Sequence, residues 1–120
     1  MSVIDPPPDR LAPLRALGAE TCAPFIYTSE MRIKPEHVEE FRERFAATTE
    51  IARAQPGCVF IEAHESFTEP GVFITYGKWE SFKAFEEQES HQPWFRDYAA
   101  ATADFHAADR VVRLWTPLRP

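Results

Sequence analysis

The chain is predicted to be a single α+β domain of the ferredoxin-like class, βαββαβ, an antiparallel sheet with helices on one face. Three observations predict it. Residues alternate between two faces along 25–34, and apolar residues recur at steps of three and four along 36–54. Downstream segments then read strand, strand, helix, strand, with the interior prolines Pro35, Pro56, Pro70 and Pro93 each at a start or stop. One hundred and twenty residues with 44% apolar content fit one modest core.

Pro6, Pro7, Pro8 and Pro13 mark residues 1–23 as an extended N-terminal arm with a helical turn around 11–17. Such an arm either wraps a partner subunit or stays disordered. Residues 24–117 form the domain, and 118–120 are a short C-terminal tail. The first strand puts Phe25, Tyr27, Ser29, Met31 and Ile33 on one face and Ile26, Thr28, Glu30 and Arg32 on the other. The helix over 36–54 carries Val38, Phe41, Phe45, Thr48 and Ala52 on one stripe, and Pro56-Gly57 ends it. Strands follow over 58–67 and 72–79, joined around Glu69-Pro70-Gly71; Val72, Phe73, Ile74 and Tyr76 favour a buried pleated strand.

Ser81 is placed to accept a hydrogen bond from the first free N–H groups of a helix, so the second helical region starts there. It carries Phe82 and Phe85, breaks between Ser90 and Pro93, and resumes through Phe95, Tyr98, Thr102 and Phe105. The last strand spans 110–116. Both faces of the middle strands are apolar: Val59, Ile61, Ala63 and Phe67 oppose Cys58 and Phe60, and Val72, Ile74 and Tyr76 oppose Phe73 and Trp79. An antiparallel sheet usually keeps one face wet. A homodimer that packs sheet to sheet is the simplest way to cover the second face.

Charge and composition exclude several classes. The formal net charge is -6 with no basic block, so no nucleic acid is expected as a partner. Residues 1–8 have neither a positive start nor an apolar run, so no signal peptide is expected, and no stretch approaches a membrane span. Cys22 and Cys58 are too few for a disulfide framework. A cytoplasmic protein without a membrane partner follows. Among His37, His64, His91 and His106, no two share a helix at ligand spacing. Glu62 and His64 share a strand face, which reads as a hydrogen-bonded pair more readily than as part of a metal site, because metals need more ligands. No metal is expected, and no nucleotide fingerprint, phosphate loop or catalytic triad is present.

The run Thr75-Tyr76-Gly77-Lys78-Trp79-Glu80-Ser81-Phe82-Lys83-Ala84-Phe85, with Gly57-Cys58-Val59-Phe60 upstream, resembles the antibiotic biosynthesis monooxygenase family of the dimeric α+β barrel superfamily, over residues 25–115. The resemblance implies a sheet-to-sheet homodimer. It also implies a monooxygenase without a cofactor that oxidises a small anthrone- or quinol-like aromatic with molecular oxygen, in secondary metabolism. Its pocket would lie between sheet and helices. In anthrone-oxidising members a tryptophan ends the third strand and a histidine sits in the second; the matching positions are Trp79, within Trp-Glu-Ser, and His64. Thr75 stands where those members have asparagine, and Phe85 replaces a tyrosine. The arginine position falls near Ala99, with Arg96 one turn earlier. Haem-degrading relatives need an asparagine, a tryptophan and a histidine where this chain has Ser29, Gln88 and Tyr98 or Ala99, so haem is not expected. Many members have a histidine at Gln88 and Ser-Pro-His-Phe at Gln92-Pro93-Trp94-Phe95. His91, an apparent insertion, either fills that space or lies solvated in a loop.

The expected catalytic residues are His64 as base, Glu62 as its orienting partner, and Trp79. Tyr27, Ser29, Phe60, Phe73, Thr75, Phe85, Trp94, Arg96 and Tyr98 are expected to bind substrate, whereas Phe41, Phe45 and Phe105 read as core. Strand parity pairs Glu62 with His64, Thr75 with Trp79, and Tyr27 with Ser29, and the three faces are expected to line one cavity. Two other readings remain open: a ligand-binding or isomerase/cyclase-type member of the superfamily, and a catalytically silent dimer that helps a partner enzyme.

Overall fold

The computed structural model describes residues 9–119. Strands β1 (Phe25–Arg32), β2 (Cys58–Glu65), β3 (Val72–Trp79) and β4 (Val111–Leu114) form one antiparallel sheet in the order β2-β3-β1-β4. Helices α2 (Val38–Arg53), α3 (Phe82–His91) and α4 (Pro93–Thr102) pack on one face, preceded by a short α1 (Ala12–Ala16). The predicted βαββαβ order is present, with the second helical region split at Gln92-Pro93. Pro93 opens α4 because the first helical position needs no N–H donor. The sheet is open, not closed into a barrel. Among the described residues no helix is long and apolar enough to cross a membrane.

The chain signals act as the physics requires. Ser81 Oγ accepts from Ala84 N at 3.2 Å and starts α3. Gly57 has φ +85, and a Cβ built there would lie 2.6 Å from Ala84 Cβ, so the turn after α2 needs glycine twice over. Residues 9–23 do not extend away as an arm. Leu11 and Leu14, three apart on one turn, are buried against Phe25, Tyr27, Trp79, Phe82 and Phe85. The expected turn over 11–17 is there as α1, docked on its own chain; the rest of the expected arm, residues 1–8, lies outside the described residues.

A bulge corrects the expected alternation in β2. Cys58 pairs with Trp79 while Phe60 pairs with Lys78, so Val59 is the extra residue and is 53% exposed. Cys58 and Ile61 therefore both turn toward the helices. Phe60 turns away and stacks on Tyr76 at 5.1 Å. The strand ends at Glu65, and Phe67 is fully exposed.

The core has two clusters on the helix side of the sheet. One joins α1 and α3 to Phe25, Tyr27 and Trp79; the other joins α2 and α4 to Met31, Ile33 and Phe73. On the opposite face no helix among the described residues covers Val59, Phe60, Ile74 or Tyr76, the last 42% exposed.

Candidate functional site

A cavity of about 60 Å³ lies where the two clusters meet, between the sheet and the helices. Every second residue of an antiparallel strand faces the same side, so β1 contributes Tyr27 and Ser29 and β3 contributes Thr75 and Trp79. The register pairs Ser29 with Thr75, placing these two polar side chains side by side. α3 adds Phe85, Gln88 and Glu89, and α4 adds Trp94, Phe95 and Tyr98. Arg10, just before α1, and Arg110, just before β4, close the end near Glu89.

The lining is apolar with polar atoms left open. Ser29 Oγ, Trp79 Nε1, Gln88 Oε1 and Trp94 Nε1 are buried without a hydrogen-bond partner among the described residues. Buried polar groups are normally satisfied, so such a concentration marks a place where water or a ligand completes the bonding. Glu89 is 8% exposed. Its Oε1 lies 3.5 Å from Arg10 Nε, an ion-pair separation at which neither atom makes a good hydrogen bond. Burial pushes the Glu89 carboxyl above the ordinary carboxylate range, and Arg10 and Arg110 only partly oppose it. Burial likewise raises the phenols of Tyr27 and Tyr98, the latter to about 12, so both stay protonated.

The structure brings Tyr27, Ser29, Thr75, Trp79, Phe85, Trp94 and Tyr98 to this cavity. It does not bring the rest. Phe73 is spent in the core, edge-on to Phe41 at 4.9 Å. Phe60 faces the other side of the sheet. His64 and Glu62 also lie there, 3.1 Å apart and each 57% exposed in the side chain. The reason is register: Ala63 pairs with Thr75, so Glu62 and His64 stand opposite Tyr76 and Ile74 on the outer face. The expectation of one cavity holding Glu62, His64 and Trp79 is thereby corrected. Arg96 is exposed and lines a neighbouring cleft, and His91 is exposed at the end of α3.

Sequence reasoning missed Glu89, Arg10 and Arg110, and treated Gln88 only as a departure from relatives' tryptophan or histidine. One signal was available. Glu89 follows Phe85 by four, so it continues the apolar stripe of α3 as its only charged member. Nothing in the local pattern links Arg10 with Arg110, one hundred residues away. Among the described residues no three His, Cys, Asp or Glu side chains gather as a metal site would require.

A second hollow of about 790 Å³ opens beside the cavity, lined by the 9–11 segment, α4 and residues 106–110. The two share the wall formed by Arg10, Glu89, Phe95 and Arg110.

Comparison with known proteins gives consistent matches. The family model for antibiotic biosynthesis monooxygenase matches residues 24–106. A solved structure from Bacteroides thetaiotaomicron, provisionally described as an antibiotic biosynthesis monooxygenase, superposes with a TM-score of 0.75 at 22% identity, covering 82% of this chain and 92% of that one. Another from Nitrosomonas europaea, described in the same provisional terms, gives 0.74 at 19% identity over 80% and 91% of the two chains. The Mycobacterium tuberculosis protein Rv0793 gives 0.73 at 20% identity over 82% and 98%. At these identities the likeness establishes the fold. Among curated sequences, an uncharacterized Synechocystis protein is 23% identical over 92 residues, 77% of this chain; the match spans only 62% of that relative's length.

Proposed function

Because the chain belongs to the antibiotic biosynthesis monooxygenase family, we propose that it oxidises a small electron-rich aromatic, anthrone- or quinol-like, with molecular oxygen and without a cofactor. One observation carries the reading. The helix-side cavity combines aromatic walls with unpartnered polar atoms, namely Ser29 Oγ, Gln88 Oε1 and the indole N–H groups of Trp79 and Trp94. Aromatic side chains hold a flat ring, and the open donors suit an oxygen atom on its edge.

The chemistry asks little of the protein. Loss of a proton from the substrate gives an enolate or phenolate that can pass an electron to oxygen. For an anthrone the balance is a CH₂ group plus O₂ giving a carbonyl group plus water. In this account the indole N–H groups and the Ser29 hydroxyl stabilise the developing oxyanion, and burial keeps water out. Glu89 takes the proton, being the carboxylate of the cavity wall, and its raised pKa makes it a better base once ionised. His64 has no part in this cavity, since it lies on the outer face.

Size sets a condition. Ligand pockets usually enclose roughly 300–1,000 Å³, far more than the 60 Å³ cavity. A bound ring therefore spreads the wall of Arg10, Glu89 and Phe95 and occupies part of the 790 Å³ hollow behind it. The reading is tested by oxygen consumption with a panel of anthrones and quinols in the presence of chelator. Ligand-induced thermal shifts without oxygen uptake would instead favour a binding or isomerase-type member.

The apolar outer face supports a homodimer with the two sheets facing each other. Stable pairs bury about 1,200–2,000 Å², and Val59, Phe60, Ile74 and Tyr76 supply the apolar centre of such a patch. Light scattering at micromolar concentration is expected to give twice the 13.8 kDa chain mass. A monomer would contradict this. Two free thiols, Cys22 and Cys58, suit a reducing cytoplasmic setting.

A further inference from the structure

The wall between cavity and hollow has an unbalanced charge. Arg110 is half-buried, and its one hydrogen bond among the described residues runs from Nη2 to the carbonyl of Arg10 at 2.7 Å. No carboxylate lies within ion-pair distance of it there. The Arg10 guanidinium sits over the Phe95 ring at 5.1 Å, and its Nε reaches Glu89 only at 3.5 Å. The other acids of the hollow do not fill the gap. Asp9 already accepts from Leu11 N and from Arg15, and Asp109 is exposed at the rim, as is Arg96. With Glu89 ionised, two guanidiniums face one carboxylate, and a half-buried guanidinium without a counter-charge is costly.

We propose that the molecule taken up here is an aromatic acid, whose carboxylate docks on the guanidiniums of Arg10 and Arg110 at this wall. The assignment rests on reading the cavity as the substrate site, and it names the class of substrate. One added carboxylate brings the wall to neutrality, and guanidinium matches a carboxylate with paired N–H donors. The rings then reach from the cavity, beside Phe85 and Trp94, to Phe95 at the wall. Both arginines lie outside the family-matched residues 24–106.

The test is calorimetric binding of 2-naphthoate against the neutral 2-naphthamide, the same rings without the charge. The intact protein is expected to favour naphthoate by roughly tenfold or more, as charge-assisted hydrogen bonds do. Arg10→Gln and Arg110→Gln should each erase most of that preference while leaving naphthamide affinity within about twofold, and Arg110→Lys should retain part of it. The two arginines sit on separate segments, so one variant that fails to fold leaves the other decisive. Equal affinity for the two probes, no naphthoate binding at millimolar concentration, or a preference that survives both glutamine variants would overturn the proposal. Displacement of naphthoate by equimolar inorganic phosphate would overturn it too, by showing a simple anion site. Oxygen uptake is a separate readout: its absence defeats the oxygenase reading without touching the charge preference, and the reverse also holds.

Discussion

Glu89→Gln is expected to lower turnover by roughly 10²–10⁴-fold, the range for loss of a general base, with substrate affinity changed only a fewfold. Glutamine keeps the shape and a hydrogen-bonding edge but cannot take a proton. The pH profile carries the same signature. Burial raises the Glu89 pKa, and the base works only when ionised, so activity should climb through an ascending limb above the ordinary glutamate range. The sign for stability is opposite. The folded carboxyl holds its proton more tightly than the unfolded one, so its stabilising share is complete below the ordinary glutamate pKa and is lost as pH rises through the raised value. His64→Ala, on the outer face, should leave turnover within about twofold of the parent, because His64 contributes nothing to the cavity. Normal turnover in Glu89→Gln, or a large loss in His64→Ala, would move the chemistry to another group.

Trp79→Ala carries the largest expected effect on stability, about 3–5 kcal/mol by the usual cost of truncating a buried Trp or Phe. Trp79 is 1% exposed, packs edge-on to Phe85 at 5.6 Å, and ties β3 to α3. Domains of this kind hold only about 5–15 kcal/mol in all, so the loss approaches the whole margin. Trp79→Phe separates the two roles of the residue. It keeps most of the buried surface but removes the N–H, so it should weaken substrate binding with a much smaller loss of stability. Urea unfolding checks both variants, and a loss under about 1 kcal/mol for the alanine variant would show that the site collapses around the missing ring.

Much of this architecture is legible in the sequence because its signals are local. Alternation marks β1, the step of three and four marks α2, and Pro56-Gly57, Ser81 and Pro93 each set a boundary by backbone chemistry alone. The pairwise parity of Thr75 with Trp79 and of Tyr27 with Ser29 is local too, and these residues do line one cavity. What local patterns do not carry is the register between strands. Placing Glu62 and His64 relative to Thr75 depends on the β2–β3 pairing and on the bulge at Val59, which no single strand reveals. The 9–23 segment misleads for a related reason. Its prolines suggest an extended arm, yet Leu11 and Leu14 find a hydrophobic seat that only the assembled sheet and α3 create. Arg10 and Arg110 meet for the same reason, through tertiary structure.

The most direct test of the central claim, that substrate binds in the helix-side cavity, is the indole N–H spectrum of the protein titrated with an anthrone under anaerobic conditions. The three tryptophans report on different places. Trp79 Nε1 and Trp94 Nε1 line the cavity without partners, whereas Trp115 Nε1 already donates to Thr28 Oγ1 at 2.9 Å on the outer face. The account predicts that the Trp79 and Trp94 signals move as they gain an acceptor while Trp115 holds still. Movement of Trp115 alone, with Trp79 and Trp94 unchanged at saturation, would put the ligand on the outer face beside Thr28 and contradict it.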